Sequence, residues 1–316
     1  MSQSTVSLVL SGKSAGRIST RTEEAVRRAA EELGYRPNVA ARALRTGAAR
    51  TVGLVVTDVT HPFFGFVLRG AQVAAWRADY AVALVDVAND PDREMASFEA
   101  LRAGPVDGFL FFTIDPPERS DERMVAIEVQ PPGMPFVRFD VERGTSLAIR
   151  HLLELGHRRI AHLASSIDGE TFRLRREEMD AVLAREGAEP APRMRAAFRF
   201  EDACEAALEL LDRGAPTAVF CDDDILAGGV YLAARERGLR VPYDLSVVGF
   251  DDLPFARVVE PPLTTIAIDP EDLGASAFEV LAELMAGNPP PPGRILPVEL
   301  VVRASCGAAA GEAAGR

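Results

Sequence analysis

The sequence predicts an α/β protein with a small all-helical N-terminal head. Three observations carry that reading. From residue 51 onward, short apolar runs rich in β-branched residues alternate with helical stretches, the pattern of parallel sheets joined by crossover helices. Residues 1–50 contain no such run. The charge divides at the same place: the first 50 residues hold nine cations and four anions, +5, so the rest carries −17 of the chain's net −12. A small basic head on an acidic body points to a polyanion partner for one end only.

The head reads as short helices. Val6, Val9 and Leu10 share one helical face, with Ser2 or Ser4 as N-cap, and Ser11-Gly12 ends the run. A second helix is predicted from Thr20, where Thr20-Arg21-Thr22-Glu23 reads as a capping box. Val26, Ala29, Ala30 and Leu33 form its apolar stripe, and Gly34 is placed to end it. Pro37 breaks the chain, and Asn38 can cap a third short helix over 39–45.

The body follows a different grammar. Buried parallel strands are predicted at 51–57, 81–87, 108–113, 159–164, 217–221 and 245–250. Helical patterns lie between them at 64–78, 92–103, 144–155, 173–186, 203–211 and 225–237. This many units suits one large sheet or two doubly wound subdomains. The Gly/Ala-rich stretch 307–316 reads as a disordered tail.

Composition narrows the function classes. At 47% apolar residues, 316 residues can bury a sizeable core. No run approaches the 18 or more apolar residues of a membrane span, and no signal peptide is legible. Cys204, Cys221 and Cys306 show no metal-ligand spacing and fit a reducing cytoplasm. The expectation is a cytoplasmic protein with no cofactor, no metal and no membrane partner. Enzyme motifs are missing too: no phosphate loop, no dinucleotide fingerprint and no nucleophile elbow. A magnesium-dependent phosphotransfer site from Asp58, Asp222 and Asp251 would lack its lysine, since the only one, Lys13, sits in the head.

Ligands of open parallel sheets bind beyond the carboxyl ends of the strands. His61, Phe63 and Phe64 follow the first strand there, Asp222, Asp223 and Asp224 follow the run ending at Cys221, and Asp251 and Asp252 follow Phe250. Arg173, Arg175 and Arg176 fall at the start of a helix. Carboxylates, a guanidinium and two rings suit a polyhydroxylated or heteroaromatic small molecule. Each has a plainer reading: an aspartate as helix cap, the phenylalanines as core, the arginines as a solvated face. His157, in Leu155-Gly156-His157-Arg158, reads as a helix C-terminal residue and not a catalytic base.

Several blocks together resemble the LacI/GalR family of transcriptional regulators. They include Ser4-Thr5-Val6-Ser7 through Gly12, Tyr35-Arg36-Pro37-Asn38 with 41–47, and Thr51-Val52-Gly53-Leu54-Val55. Further on come His61-Pro62-Phe63-Phe64, the segment 151–161, Ser246-Val247-Val248-Gly249-Phe250-Asp251-Asp252, and Pro261-Pro262-Leu263-Thr264-Thr265-Ile266. The resemblance implies a small helical DNA-binding head, residues 1–47 with a hinge helix, and a periplasmic-binding-protein-like core of two doubly wound parallel-sheet subdomains over 51–306. The N-subdomain would span about 51–139 and 266–288, and the C-subdomain about 140–265 and 289–306. The implied function is a repressor that binds a pseudo-palindromic operator as a homodimer and answers a small effector, a sugar or nucleoside. By family position Gln3, Ser4 and Leu8 would face base edges, Thr5 and Ser7 the phosphates or groove wall, Asn38 would also contact DNA, and Leu44 would wedge into the minor groove. Phe63, Phe64, Arg175, Asp222, Asp223 and Asp251 match effector-contacting positions.

Three departures qualify the resemblance. The family has a complete helix before the recognition helix, whereas this chain starts at Met1 beside Ser2. That implies either a start upstream of Met1 or a small-molecule binding protein with a vestigial, DNA-binding-impaired head. The stretch 116–140 is short, so a strand-and-helix unit is expected to be missing there. Asp222 replaces the usual Asn and Glu178 stands where Gly is common, and the extra pocket carboxylate is expected to favour hydroxyl-rich or cationic effectors.

Overall fold

The computed structural model describes residues 2–10, 14–33, 49–112, 123–289 and 293–309, without the side chains of Gln3, Ser7 and Pro91. The chain forms two compact units, 1–50 and 51–316.

In the first unit, α1 (Gln3–Leu10) packs on α2 (Thr20–Glu32). The Ser2 hydroxyl accepts from Thr5 N at 3.2 Å and so caps α1, while Val9 and, on α2, Val26 are buried. The cap of α2 is Ser19, one residue before the expected capping box, with its hydroxyl accepting from Thr22 N at 3.3 Å. Glu23 then lies in the first turn and pairs with Arg27 at 2.8 Å instead of reaching back to the cap. The third helix expected over 39–45, with Asn38 and Leu44, lies outside the described residues.

The second unit runs β1 (Thr51–Val56), α3 (Pro62–Arg77), β2 (Ala81–Asp86), α4 (Pro91–Ala103), β3 (Phe109–Phe111), β4 (Met124–Ile127) and β5 (Phe136–Phe139). It continues α5 (Val141–Glu154), β6 (Ile160–Ser165), α6 (Glu170–Arg185), β7 (Arg193–Ala196), α7 (Phe200–Gly214), β8 (Ala218–Cys221), α8 (Asp224–Glu236) and β9 (Ser246–Asp251). A short 3-10 turn (Pro254–Arg257), β10 (Thr264–Ala267), α9 (Pro270–Met285), β11 (Arg294–Leu296) and β12 (Glu299–Val301) complete it.

These strands form two six-stranded sheets, β11-β5-β4-β3-β1-β2 and β12-β10-β9-β8-β6-β7. All pairings are parallel except β10–β12. The central strands read as continuous apolar runs because helices cover both their faces. The chain passes between the sheets three times: between β5 and β6, between β10 and β11, and between β11 and β12.

The architecture corrects several expectations. The stretch 116–140 does not lack a strand, since β4 pairs with β3 and β5 with β4. The change of sheet expected at 265/266 falls after Ala267, and β11 joins the first sheet although 289–306 was assigned to the second. Helix α9 matches none of the helical patterns read from the sequence, and most predicted helices began one to three residues late. Proline sits at the first turn of α3, α4 and α9, where its missing N–H costs nothing.

Helices α3 and α9 cross closely enough that a Cβ on Gly70 would lie 1.8 Å from the Glu271 carbonyl oxygen, and one on Gly274 2.0 Å from that of Val67. At the end of α5, Gly156 takes φ +90°, and the amides of Gly156 and His157 bond to the carbonyls of Leu153 and Leu152. This is a Schellman end, as His157 predicts. The imidazole then turns inward: Nδ1 meets Thr217 Oγ1 at 2.9 Å, and Nε2 meets Ser246 Oγ at 2.9 Å and the Gly307 carbonyl at 3.0 Å. Residues 307–309 are therefore tied to the core instead of joining a loose tail: Gly307 N donates to Ser246 and Ala309 N to Leu155. Residues 310–316 lie outside the described set.

Burial holds the imidazoles of His157 and His151 below the ordinary histidine value near 6.5. A base whose folded pKa is depressed binds its proton more readily when unfolded, so its stabilising effect is complete above about pH 6.5 and is lost as pH falls below that. The melting temperature of the core is expected to drop between pH 7.5 and 5.5. His157→Ala, which strands Thr217, Ser246 and the Gly307 carbonyl, should cost about 3 kcal/mol at neutral pH and flatten that dependence. Differential scanning calorimetry across this pH range measures both.

Candidate functional site

The carboxyl ends of β1, β4, β6, β8 and β9 open onto one cleft between the two sheets, with about 820 Å³ of empty space including its mouth. All six core positions expected to contact an effector line it: Phe63, Phe64, Arg175, Asp222, Asp223 and Asp251. The structure adds Phe112, Glu128, Phe172 and Phe198.

Around α3 the aromatic wall is built edge to face, the arrangement that ring quadrupoles favour: Phe63 and Phe64 have ring centroids 5.2 Å apart, and Phe64 lies 5.1 Å from Phe112. Opposite them, Phe172 and Phe198 form a tilted pair 5.6 Å apart. Phe63 and Phe64 are each packed partly on the core and also line the cleft.

His61 is the N-cap of α3. Its Nδ1 accepts from Phe63 N, which leaves the ring proton on Nε2, and Nε2 donates across the cleft to Asp223 at 3.0 Å. Asp223 in turn caps α8 through Ile225 N, as one of the three aspartates was expected to do. Asp251 ends β9 at φ +109°, and burial, then the charge of Asp223, pushes its carboxyl well above the usual range. It shares a side-chain hydrogen bond with Asp223, and against the cost of burial His61 first, then that bond, keep the Asp223 carboxyl below its ordinary value.

His61, Asp223 and Asp251 place donor atoms within 4.8 Å of one another, the spacing of a small metal site. The donor set does not suit one. A metal on Nε2 needs the ring proton on Nδ1, where Phe63 N already donates, and the Arg175 guanidinium lies close enough to act on Asp251.

Asp222 differs from its expected role. Its carboxylate does not face a ligand, because Oδ1 takes His162 Nε2 and Oδ2 takes Ser165 N, both at 2.8 Å. Only Arg175 of the three arginines is buried, at 4% exposure. Its Nη1 donates to the Asp222 carbonyl, its guanidinium lies 3.6 Å from the centroid of the Phe250 ring, and its Nε is buried without a partner.

Three bonds in all reach from the first sheet's side to α6 and α8. Glu128, at φ +63°, accepts from Thr171 Oγ1 at 3.1 Å and from Phe139 N at 2.9 Å. Gln130 N donates to Glu170 at 2.9 Å, and His61 meets Asp223 as above. Burial raises the Glu128 carboxyl above its usual range. Sequence reasoning missed Glu128 because it follows a short strand that was not foreseen.

In the head, Ser4 is exposed on α1, and Thr5 and Leu8 are half-buried there. The side chains of Gln3 and Ser7, and all of Asn38 and Leu44, lie outside the described residues.

Two doubly wound lobes around a cleft, carried with a separate basic helical unit, define a ligand-sensing DNA-binding regulator. Residues 149–306 match the periplasmic binding protein-like domain, and residues 1–38 match bacterial regulatory proteins of the lacI family. The HTH-type transcriptional regulator DegA of Bacillus subtilis is 32% identical over 320 residues, covering 96% of this chain and 94% of DegA. The HTH-type transcriptional repressor CytR of Escherichia coli is 32% identical over 302 residues, covering 92% and 89%. Among solved structures, the lac repressor dimer bound to operator and the anti-inducer ONPF superposes with TM-score 0.86 at 27% identity, covering 96% and 95%. A complex of the regulator CelR with cellobiose gives 0.74 at 28%, covering 96% of each chain. The chain belongs to the LacI family, and it is an effector-controlled, DNA-binding transcription regulator.

Proposed function

We propose that this regulator is a cytoplasmic repressor, and that its effector is a sugar or nucleoside gripped at one end by Arg175 and Asp251 and packed along its face by Phe63, Phe64, Phe112, Phe172 and Phe198. One observation carries the reading: Arg175 lines the cleft, and its buried Nε–H has no acceptor among the described residues. A ligand hydroxyl or ring acceptor completes it, and the carboxyl of Asp251 answers a neighbouring hydroxyl. Flat rings fit the aromatic wall, as they do in sugar and nucleoside sites. The carboxylates of the cleft hold the fold and the ligand, and no turnover is assigned to them.

Control follows from linkage. An effector that prefers one cleft geometry shifts the population of operator-competent states by its difference in affinity for the two. Homodimers on a pseudo-palindromic operator fit the two-fold logic of such heads. In keeping with a cytoplasmic role, no helix among the described residues is long and apolar enough to cross a membrane.

Thermal-shift screening of sugars and nucleosides tests the effector class, and stabilisation by neither would remove it. For the head, operator affinity measured by fluorescence anisotropy should fall roughly a thousandfold between about 50 and 200 mM salt. A flat salt response would sink the phosphate-contact role of the basic unit.

A further inference from the structure

Arg175 is held by a closed circuit of side chains that starts and ends on its own helix. Asp180 on α6 accepts from Arg193 Nη2 at 2.9 Å, and Arg193 Nε on β7 donates to His162 Nδ1 at 2.8 Å. His162 Nε2 on β6 then meets Asp222 Oδ1 at 2.8 Å, and the backbone carbonyl of Asp222 receives Arg175, back on α6. His162 and Asp222 are both fully enclosed, and His162 pairs directly with Arg193 across β6 and β7.

The tautomers of this circuit are fixed. An arginine Nε only donates, so His162 Nδ1 accepts and its proton sits on Nε2. Asp222 therefore faces two donors at once, His162 Nε2–H on one oxygen and Ser165 N–H on the other. Only a residue that accepts on both side-chain atoms satisfies that position. An asparagine would set its NH₂ against one of the two N–H groups, leaving a buried donor clash in either rotamer.

We propose that His162, polarised by Arg193, is a positioning residue for effector recognition: through Asp222 it fixes the carbonyl on which Arg175 is hung. This rests on the assignment of Arg175 to the effector site and adds to it the chain of groups that sets its place. The conflict that asparagine creates at 222 exists only while Arg193 pins the tautomer. Without Arg193, His162 can move its proton to Nδ1 and accept from an asparagine NH₂.

The test is a mutant cycle on the full chain, labelled with ¹⁵N-arginine. The Nε–Hε resonance of Arg175, assigned by its loss in Arg175→Lys, is displaced by the ring current of Phe250. Asp222→Asn is expected to move it to the position of solvent-exposed arginines. Arg193→Met alone should leave it in place, and the double variant Asp222→Asn/Arg193→Met should return it towards the wild-type position. Circular dichroism confirms that each variant is folded, and if Asp222→Asn fails to fold, rescue of folding by Arg193→Met reads out the same coupling. An unmoved Arg175 signal in Asp222→Asn, or a double variant no different from Asp222→Asn, would overturn the proposal. Neither result touches the effector assignment, which fails separately if Arg175→Lys responds to effector like the wild type.

Discussion

Arg175→Ala is expected to abolish effector-driven release of the operator while leaving effector-free operator affinity unchanged. The guanidinium is the one fixed cation among the lining residues, and it is already bonded to the Asp222 carbonyl and stacked on Phe250 before any ligand arrives. Its geometry is thus paid for in advance, and a bond to its free Nε–H adds to affinity without further ordering. Loss of a charge-assisted bond of about 1.5–3 kcal/mol lowers effector affinity on the order of a hundredfold. Asp251→Ala should act in the same direction, since it removes both the group bonded to Asp223 and the oxygen offered to the ligand. Anisotropy titrations of a labelled operator, with the sugar or nucleoside that stabilises the wild-type core, measure both. A wild-type response in both variants would remove the site.

Gly70→Ala or Gly274→Ala is expected to give the largest loss of stability in the core. At each position the new methyl would meet a backbone carbonyl, of Glu271 or Val67, and not the yielding tip of a side chain. Helices α3 and α9 would have to separate, and both pack on the first sheet's main core through Val67, Ala71, Leu273 and Ala277. The cost should reach about 3 kcal/mol or more, a fall of roughly 6–12 °C in melting temperature for a unit of this size. Thermal denaturation of the two variants measures it, and melting within 2 °C of wild type would show that the helices can slide apart freely.

Much of this architecture is legible in the residues themselves. The runs around Leu54, Phe220 and Val248 announce buried parallel strands because helices cover both faces of the sheets, and the wall around Phe63 and Phe64 lies where strand ends predict a ligand. The elements that escaped reading are those whose fit depends on the rest of the fold. Strand β7 carries Arg193 and Arg195, polar at the edge of its sheet, and β11 and β12 are three residues each, too short for any period. The direction of a side chain is equally non-local. That Asp222 turns to His162, 60 residues earlier in the chain, depends on β6 lying beside β8, which no local pattern encodes. The same holds for His61, whose place beyond the first strand is legible but whose partner Asp223 lies 162 positions along the chain.

The threading of the chain through its two sheets has a consequence for how the molecule comes into being. The first sheet begins at Thr51, yet its edge strand β11 ends at Leu296, and α9, which covers it, starts only at Pro270. During synthesis the first lobe must wait, with β1 to β5 uncovered by α9, until nearly the whole chain has left the ribosome. The second lobe lacks only β10 and β12 once β9 is made, so it is the lobe able to condense first. Such distant pairings slow folding and expose apolar surface meanwhile. Any truncation before residue 296 therefore damages the lobe at the opposite end of the sequence.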